Sequence, residues 1–140
     1  MRKNESVSKI MTSNLISVNK KACFSDVKKI FQKYPFHHVP VLEGEKLIGI
    51  ISTDDMLKAT FSEMFFQNEK EANVVLDCTL SIQEIMTKNP TSISIKLTIR
   101  EAAILLRDCP FNALPVVDEK QNILGIVTSK DLIRYLLEQY

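Results

Sequence analysis

Apolar residues fall at helical spacing twice along the chain, each time followed by a proline. Phe24, Val27, Ile30 and Phe31 lie on one face of a segment that Pro35 ends. Ile99, Ala102, Ala103, Leu105 and Leu106 do the same downstream, before Pro110. That second helix opens on Thr98 and Glu101, a capping box in which each side chain satisfies a backbone donor at the helix start. A short apolar run precedes each helix and reads as a strand: Ile16-Ser17-Val18, then Ser92-Ile93-Ser94-Ile95. A hairpin follows each helix. The first is Val39-Pro40-Val41-Leu42, a turn at Glu43-Gly44-Glu45, and a strand from Lys46 to Ser52; the second is Leu114-Pro115-Val116-Val117, a turn over 118–122, and a strand from Ile123 to Thr128. A last helix starts near Asp55 or Asp131, with Ser or Thr just upstream as N-cap. The order β-α-β-β-α occurs twice.

The recurrence extends to residue identity. Ile10-Met11-Thr12 returns 75 positions later as Ile85-Met86-Thr87, and at the same offset Lys21 meets Lys96, Pro35-Phe36 meets Pro110-Phe111, and Pro40-Val41 meets Pro115-Val116. One extra residue in the second turn makes the offset 76, which aligns Gly49-Ile50-Ile51-Ser52 with Gly125-Ile126-Val127-Thr128 and Asp55 with Asp131. The chain is a tandem repeat. It divides into a first repeat with its N-terminal segment (1–60), a linker (61–81) and a second repeat (82–140). A unit of about 50 residues is too small to bury a stable core alone, so the copies are expected to pack against each other. Leu57, Phe61, Met64 and Phe65 extend the helical stripe of the first copy toward Gln67, as internal packing or as a dimer contact. Asn73-Val74-Val75-Leu76 reads as a short strand or an extended linker.

Composition removes most other plans. Eighteen Lys and Arg against 17 Asp and Glu leave a net charge of +1, which argues against nucleic-acid binding. Three scattered glycines cannot form a phosphate loop, and two adjacent histidines, His37 and His38, make no zinc site. Cys23, Cys78 and Cys109 show no C-x-x-C spacing and have no histidine nearby in sequence; they read as reduced, buried thiols. No nucleophile–base pair stands out, so no catalytic residue is assigned and the chain is not expected to be an enzyme. With no signal peptide and no apolar run of about 20 residues, a soluble cytoplasmic protein without a membrane partner is expected.

The ordered set Ile-Met-Thr, Ile-Ser-Val, His38-Val39-Pro40-Val41 and Gly49-Ile50-Ile51-Ser52, repeated as Ala113-Leu114-Pro115-Val116 and Gly125-Ile126-Val127-Thr128, resembles the cystathionine β-synthase (CBS) domain in tandem, the Bateman module. The resemblance implies an α/β fold of two β-α-β-β-α repeats packed with pseudo-two-fold symmetry. It implies a regulatory module that requires no cofactor and binds AMP, ADP, ATP or S-adenosylmethionine in clefts between the repeats. It also implies a homodimer and an effector protein that the sequence does not identify. Ser52 with Asp55, and Thr128 with Asp131, match the family's (Ser/Thr)-x-x-Asp element, in which the carboxylate takes the ribose hydroxyls. The hydroxyl and the first amides of the helix, at Ser129 and Lys130 in the second copy, would meet phosphate. Backbone around Ile16, Ser17 and Val18, and around Thr91, Ser92 and Ile93, would read the adenine edge. Val39-Pro40 and Leu114-Pro115 would flank its ring, with His38 and its counterpart Ala113 beside them. Ser or Thr three residues before Asp is also ordinary N-capping, so a structural or partner-binding module with vestigial clefts is the alternative. Asp54 stands beside Asp55 where Lys130 stands beside Asp131, so the Asp131 site is expected to prefer charged nucleotides, and the Asp55 site less charged ligands or none.

Overall fold

Phe24 and Val27 are fully buried on one face of helix α1 (Phe24–Lys33), and Ile30 and Phe31 lie against the same core, as the spacing predicts. This chain is described by a computed structural model covering residues 4–60, 74, 77 and 81–140. The first repeat runs through strand β1 (Val18–Asn19), α1, β2 (His38–Glu43), β3 (Lys46–Ser52) and α2 (Thr53–Thr60). A short helix α3 (Ile82–Ile85) and strand β4 (Thr87–Lys88) precede β5 (Ile93–Ser94), α4 (Ile99–Asp108), β6 (Ala113–Val117), β7 (Ile123–Thr128) and α5 (Ser129–Glu138).

The local signals explain the element ends. Glu101 N–H donates to Thr98 Oγ1 at 3.1 Å and Thr98 N–H to Glu101 Oε2 at 2.9 Å, closing the capping box of α4. The last residues before Pro35 and Pro110, Tyr34 and Cys109, are extended, because proline's ring disfavours helical geometry in the residue before it. Gly44 turns the first hairpin at φ +63°. In the second turn, Gln121 takes φ +68° while the Asp118 carboxylate accepts the amides of Asn122 and Lys120 at 2.9 and 2.8 Å. Those bonds, the Asn122 amide foremost, hold Asp118 below the usual carboxylate range.

The opening strands are shorter than the sequence suggests. β1 pairs in parallel with β2 through Val18 and Val41, and β5 with β6 through Ile93 and Val116. Ile16, Ser17, Thr91, Ser92 and Ile95 are outside these strands, because the parallel pairing extends over only two residues in each. Cys23 is exposed as the N-cap of α1 and Cys109 is half-buried, so neither is the buried thiol expected; each sits at a helix end, where the chain turns outward. Cys78 lies outside the described residues, as does the expected continuation of α2 to Gln67. Val74 and Asp77 are helical, which corrects the strand or extended reading at Val74; a four-residue apolar run does not by itself separate strand from helix.

Two compact units result, and they cut across the repeats. One holds Met1–Leu15, Glu45–Leu47 and Pro90–Tyr140; the other holds Ile16–Gly44 and Ile48–Asn89. In the second of these, the sheet order is β1-β2-β3-β4, with β4 antiparallel to β3 through Gly49↔Lys88 and Ile50↔Thr87. Its last strand therefore comes from the Ile-Met-Thr segment that leads the other repeat. The first unit mirrors this: beside the sheet β5-β6-β7, Thr12 exchanges two backbone hydrogen bonds with Ile126, at 2.9 and 3.0 Å. Val7 and Ile82, at matching places in the leading segments, are fully buried in the cores that receive them. Val7 N–H donates to Leu97 O, Ile99 N–H to Glu5 O, and the Tyr135 hydroxyl of α5 to the Glu5 carboxylate, so the N-terminal segment is fastened at both helices of the second repeat. No helix among the described residues is long and apolar enough to cross a membrane.

Candidate functional site

In the unit built on the second repeat, β7 runs directly into α5, and the junction carries the (Thr)-x-x-Asp element. Thr128 is the N-cap of α5, with extended backbone, and its hydroxyl accepts the Asp131 amide at 3.3 Å. Asp131 reaches back: its Oδ2 accepts the Thr128 amide at 2.8 Å and the Thr128 hydroxyl at 3.0 Å. Its Oδ1 accepts from Arg134 Nη1 at 3.3 Å. Asp131 is 5% exposed, the one charged side chain buried among the described residues, and its burial is compensated by these three donors. Ala113 lies opposite Thr128 in the β6–β7 ladder, and Ser129 N–H donates to Asn112 O. Thr128, Ser129, Lys130, Asp131 and Ala113 are therefore held together at one end of a single sheet. Lys130 is exposed.

The unit built on the first repeat repeats the arrangement with fewer ties. Ser52 N–H donates to Asp55 Oδ2 at 2.9 Å, and Asp55 N–H to Ser52 Oγ at 3.1 Å. Thr53 N–H donates to His37 O, which brings the start of α2 to the start of β2. Asp55 is half-buried rather than buried. Lys58, the counterpart of Arg134, is exposed and makes no ion pair among the described residues.

Other predicted positions separate into accessible and inaccessible groups. Val39, Pro40, Leu114 and Pro115 are fully buried, with Val39 and Leu114 inside the two hydrophobic cores, so none presents an exposed face. Val18 and Ile93 are buried as well. Ser17 and Thr91 are exposed and Ile16 and Ser92 half-buried, on the segments that lead into β1 and β5. Arg134 is the residue that sequence reasoning missed. A cation three residues after an acid on a helix was a legible signal, because such neighbours share a face.

His38 is half-buried at the start of β2. Burial, and next the neighbouring His37, push its pKa below the ordinary 6.5, while Asp55 and Asp54 oppose the shift. A depressed histidine pKa means the unfolded chain binds more protons between the folded value and 6.5. The stabilisation is therefore complete above about pH 6.5 and is lost as pH falls below it. Urea unfolding at pH 7.5 and 5.5 should show a drop in the wild-type chain that His38→Gln reduces; an equal drop in both would contradict this assignment.

Among proteins of known sequence and structure, the CBS domain family matches residues 7–62 and 82–138. The protein MJ1225 of Methanocaldococcus jannaschii is 28% identical over 132 residues, covering 94% of this chain and 47% of that protein. Its crystal structure aligns with a TM-score of 0.79 over 95% of this chain and 48% of that one. A CBS domain-containing protein of Dictyostelium discoideum is 29% identical over 94% of this chain and 91% of its own length. The CBS domain pair of MJ0100, solved with 5′-methylthioadenosine and S-adenosyl-L-methionine, is 26% identical, with a TM-score of 0.78 over 96% of this chain and 98% of that one. The chain thus spans about half the length of MJ1225 and nearly all of the MJ0100 pair.

Proposed function

This chain belongs to the CBS domain family, with two copies of the domain, and on that premise we propose that it is a regulatory module that senses adenosine-containing molecules. The observation that carries the reading is the hydroxyl–carboxylate pair built twice at a strand-to-helix junction, Ser52 with Asp55 and Thr128 with Asp131. Each pair combines an anion acceptor for vicinal hydroxyls with the amide-rich start of a helix of eight residues or more. The MJ0100 pair, similar over nearly its whole length, supports adenosine as the recognised unit. Ser17 and Thr91, exposed on the backbone leading into β1 and β5, would offer their peptide groups to an adenine edge. AMP, ADP, ATP and S-adenosylmethionine are the ligands of this proposal, and no other cofactor is required. Regulation then works through differential binding: a ligand shifts the module only as far as it prefers one conformation over another. Homodimerisation and an effector protein complete the proposal.

Melting curves with AMP, ATP, S-adenosylmethionine and 5′-methylthioadenosine test it. A ligand at about 100 times its Kd stabilises by about 2.7 kcal/mol, a rise of several degrees for a chain of this size. At least one of the four should give that rise, and mass spectrometry of freshly purified protein should detect a released adenosine compound. No shift with any of them, and no released compound, would favour a structural module with vestigial sites. One observation speaks for that second reading: the Asp131 carboxylate already has three donors within the protein.

A further inference from the structure

The two helix starts carry the same hydroxyl–carboxylate pair inside opposite charge settings. In α5 the carboxylate of Asp131 is flanked by Lys130 and paired to Arg134, so two cations accompany one anion. In α2 the counterparts are Asp54, Asp55 and Lys58, two anions and one cation. Arg134 differs from every other charge in this group because it is tied to the buried carboxylate and also faces solvent. Its Nη1 lies 3.3 Å from Asp131 Oδ1, yet its side chain is 62% exposed. A guanidinium has five N–H donors, and Asp131 takes a bond from one nitrogen. Among the described residues the remaining donors make no other bond, beside a carboxylate whose charge the same group offsets. An uncompensated carboxylate repels phosphate; this one does not stand uncompensated.

We infer that Arg134 is a specificity-determining residue of the site at Asp131, setting it for 5′-phosphorylated adenosine over adenosine itself. The inference rests on the adenosine-binding reading above and adds which substituent the second site selects and by which side chain. The site at Asp55, where Asp54 adds an anion in the place that Lys130 takes in the other, lacks that selection.

Calorimetric titration with AMP and with adenosine tests this in the 140-residue chain carrying Asp55→Ala, which disables the other site. The parent should bind AMP in preference to adenosine. Arg134→Gln should reduce that preference about fivefold to tenfold while adenosine affinity changes less than about threefold, the size expected when one partly exposed charge is removed. Arg134→Lys, which keeps the charge, should retain most of the preference and covers the case in which the glutamine variant does not fold. Equal weakening of AMP and adenosine would overturn the inference, because Arg134 would then only orient Asp131. An unchanged preference in Arg134→Gln would overturn it too. Failure of the parent and of the wild-type chain to bind AMP or adenosine, while ATP, S-adenosylmethionine or 5′-methylthioadenosine still raises the melting temperature, would overturn this inference alone; failure with all of them would overturn the adenosine-binding reading and this inference with it.

Discussion

Gly125→Ala is expected to destabilise the chain by about 2–3 kcal/mol, and Gly49→Ala by about 1–2 kcal/mol. The two glycines are one position seen twice, and each receives the methionine of an Ile-Met-Thr segment. A methyl group at Gly125 would stand 2.7 Å from Met11 Sδ and 2.9 Å from the Thr12 carbonyl oxygen. That carbonyl accepts the Ile126 amide at 3.0 Å, and the Thr12 amide donates to the Ile126 carbonyl at 2.9 Å, so the obstructing backbone cannot retreat without losing both bonds. At Gly49 the nearest atoms all belong to the Met86 side chain. A thioether chain has rotatable bonds and adapts where a paired backbone does not. Urea unfolding of both variants measures the difference. Equal losses would mean that the sulfur contact alone sets the cost. Adding Met11→Ala to Gly125→Ala should recover only part of the stability, since the Thr12 carbonyl remains.

Asp131→Ala is expected to cost about 2–3 kcal/mol in the absence of any ligand, and Asp55→Ala about 1 kcal/mol. Both substitutions remove the carboxylate of a reciprocal cap. Asp131, however, is buried and also accepts from Arg134, so its loss strands the Thr128 amide and hydroxyl near the helix start and frees a guanidinium that had a partner. Asp55 is half-buried and accepts the Ser52 amide. Denaturant melts of the ligand-free variants check the order; a smaller loss at Asp131 than at Asp55 would contradict it. The same experiment bears on function. A binding defect in Asp131→Ala is informative only on the folded fraction, because this residue supports the fold whether or not it also meets a ribose.

The parts of the fold legible in the sequence are the local ones. Helical spacing at Phe24, Val27, Ile30 and Phe31 identified α1 and its buried face, and Thr98 with Glu101 identified the start of α4, because both signals lie within a few residues of chain. The hairpins were legible from the proline and glycine that bound them. The hydroxyl–carboxylate pairs were legible too, because their partners lie three residues apart at a helix start. The destination of Ile10-Met11-Thr12 was not. An apolar triplet states that it will be buried, and nothing in its pattern names the sheet that buries it. The first strands were overread because Ile16 and Ile95 carry strand propensity but lie outside the paired residues. The Asp131–Arg134 spacing was legible as a pair on one helix face; that the acid of the pair is buried was not, because that follows from the packing of α5.

The handing of Ile-Met-Thr from each repeat to the sheet of the other has a consequence for ancestry and for dissection. One repeat by itself would have an uncovered sheet edge and a leading segment with no core to enter, so a lone copy is complete only as a reciprocally swapped dimer. Duplication and fusion of such a copy turns an exchange between two molecules into an exchange within one, at the high effective concentration a linker provides. Cutting the chain at the linker should reverse that step, giving halves that recover their sheets only by exchanging these segments with a partner, the other half or a second copy.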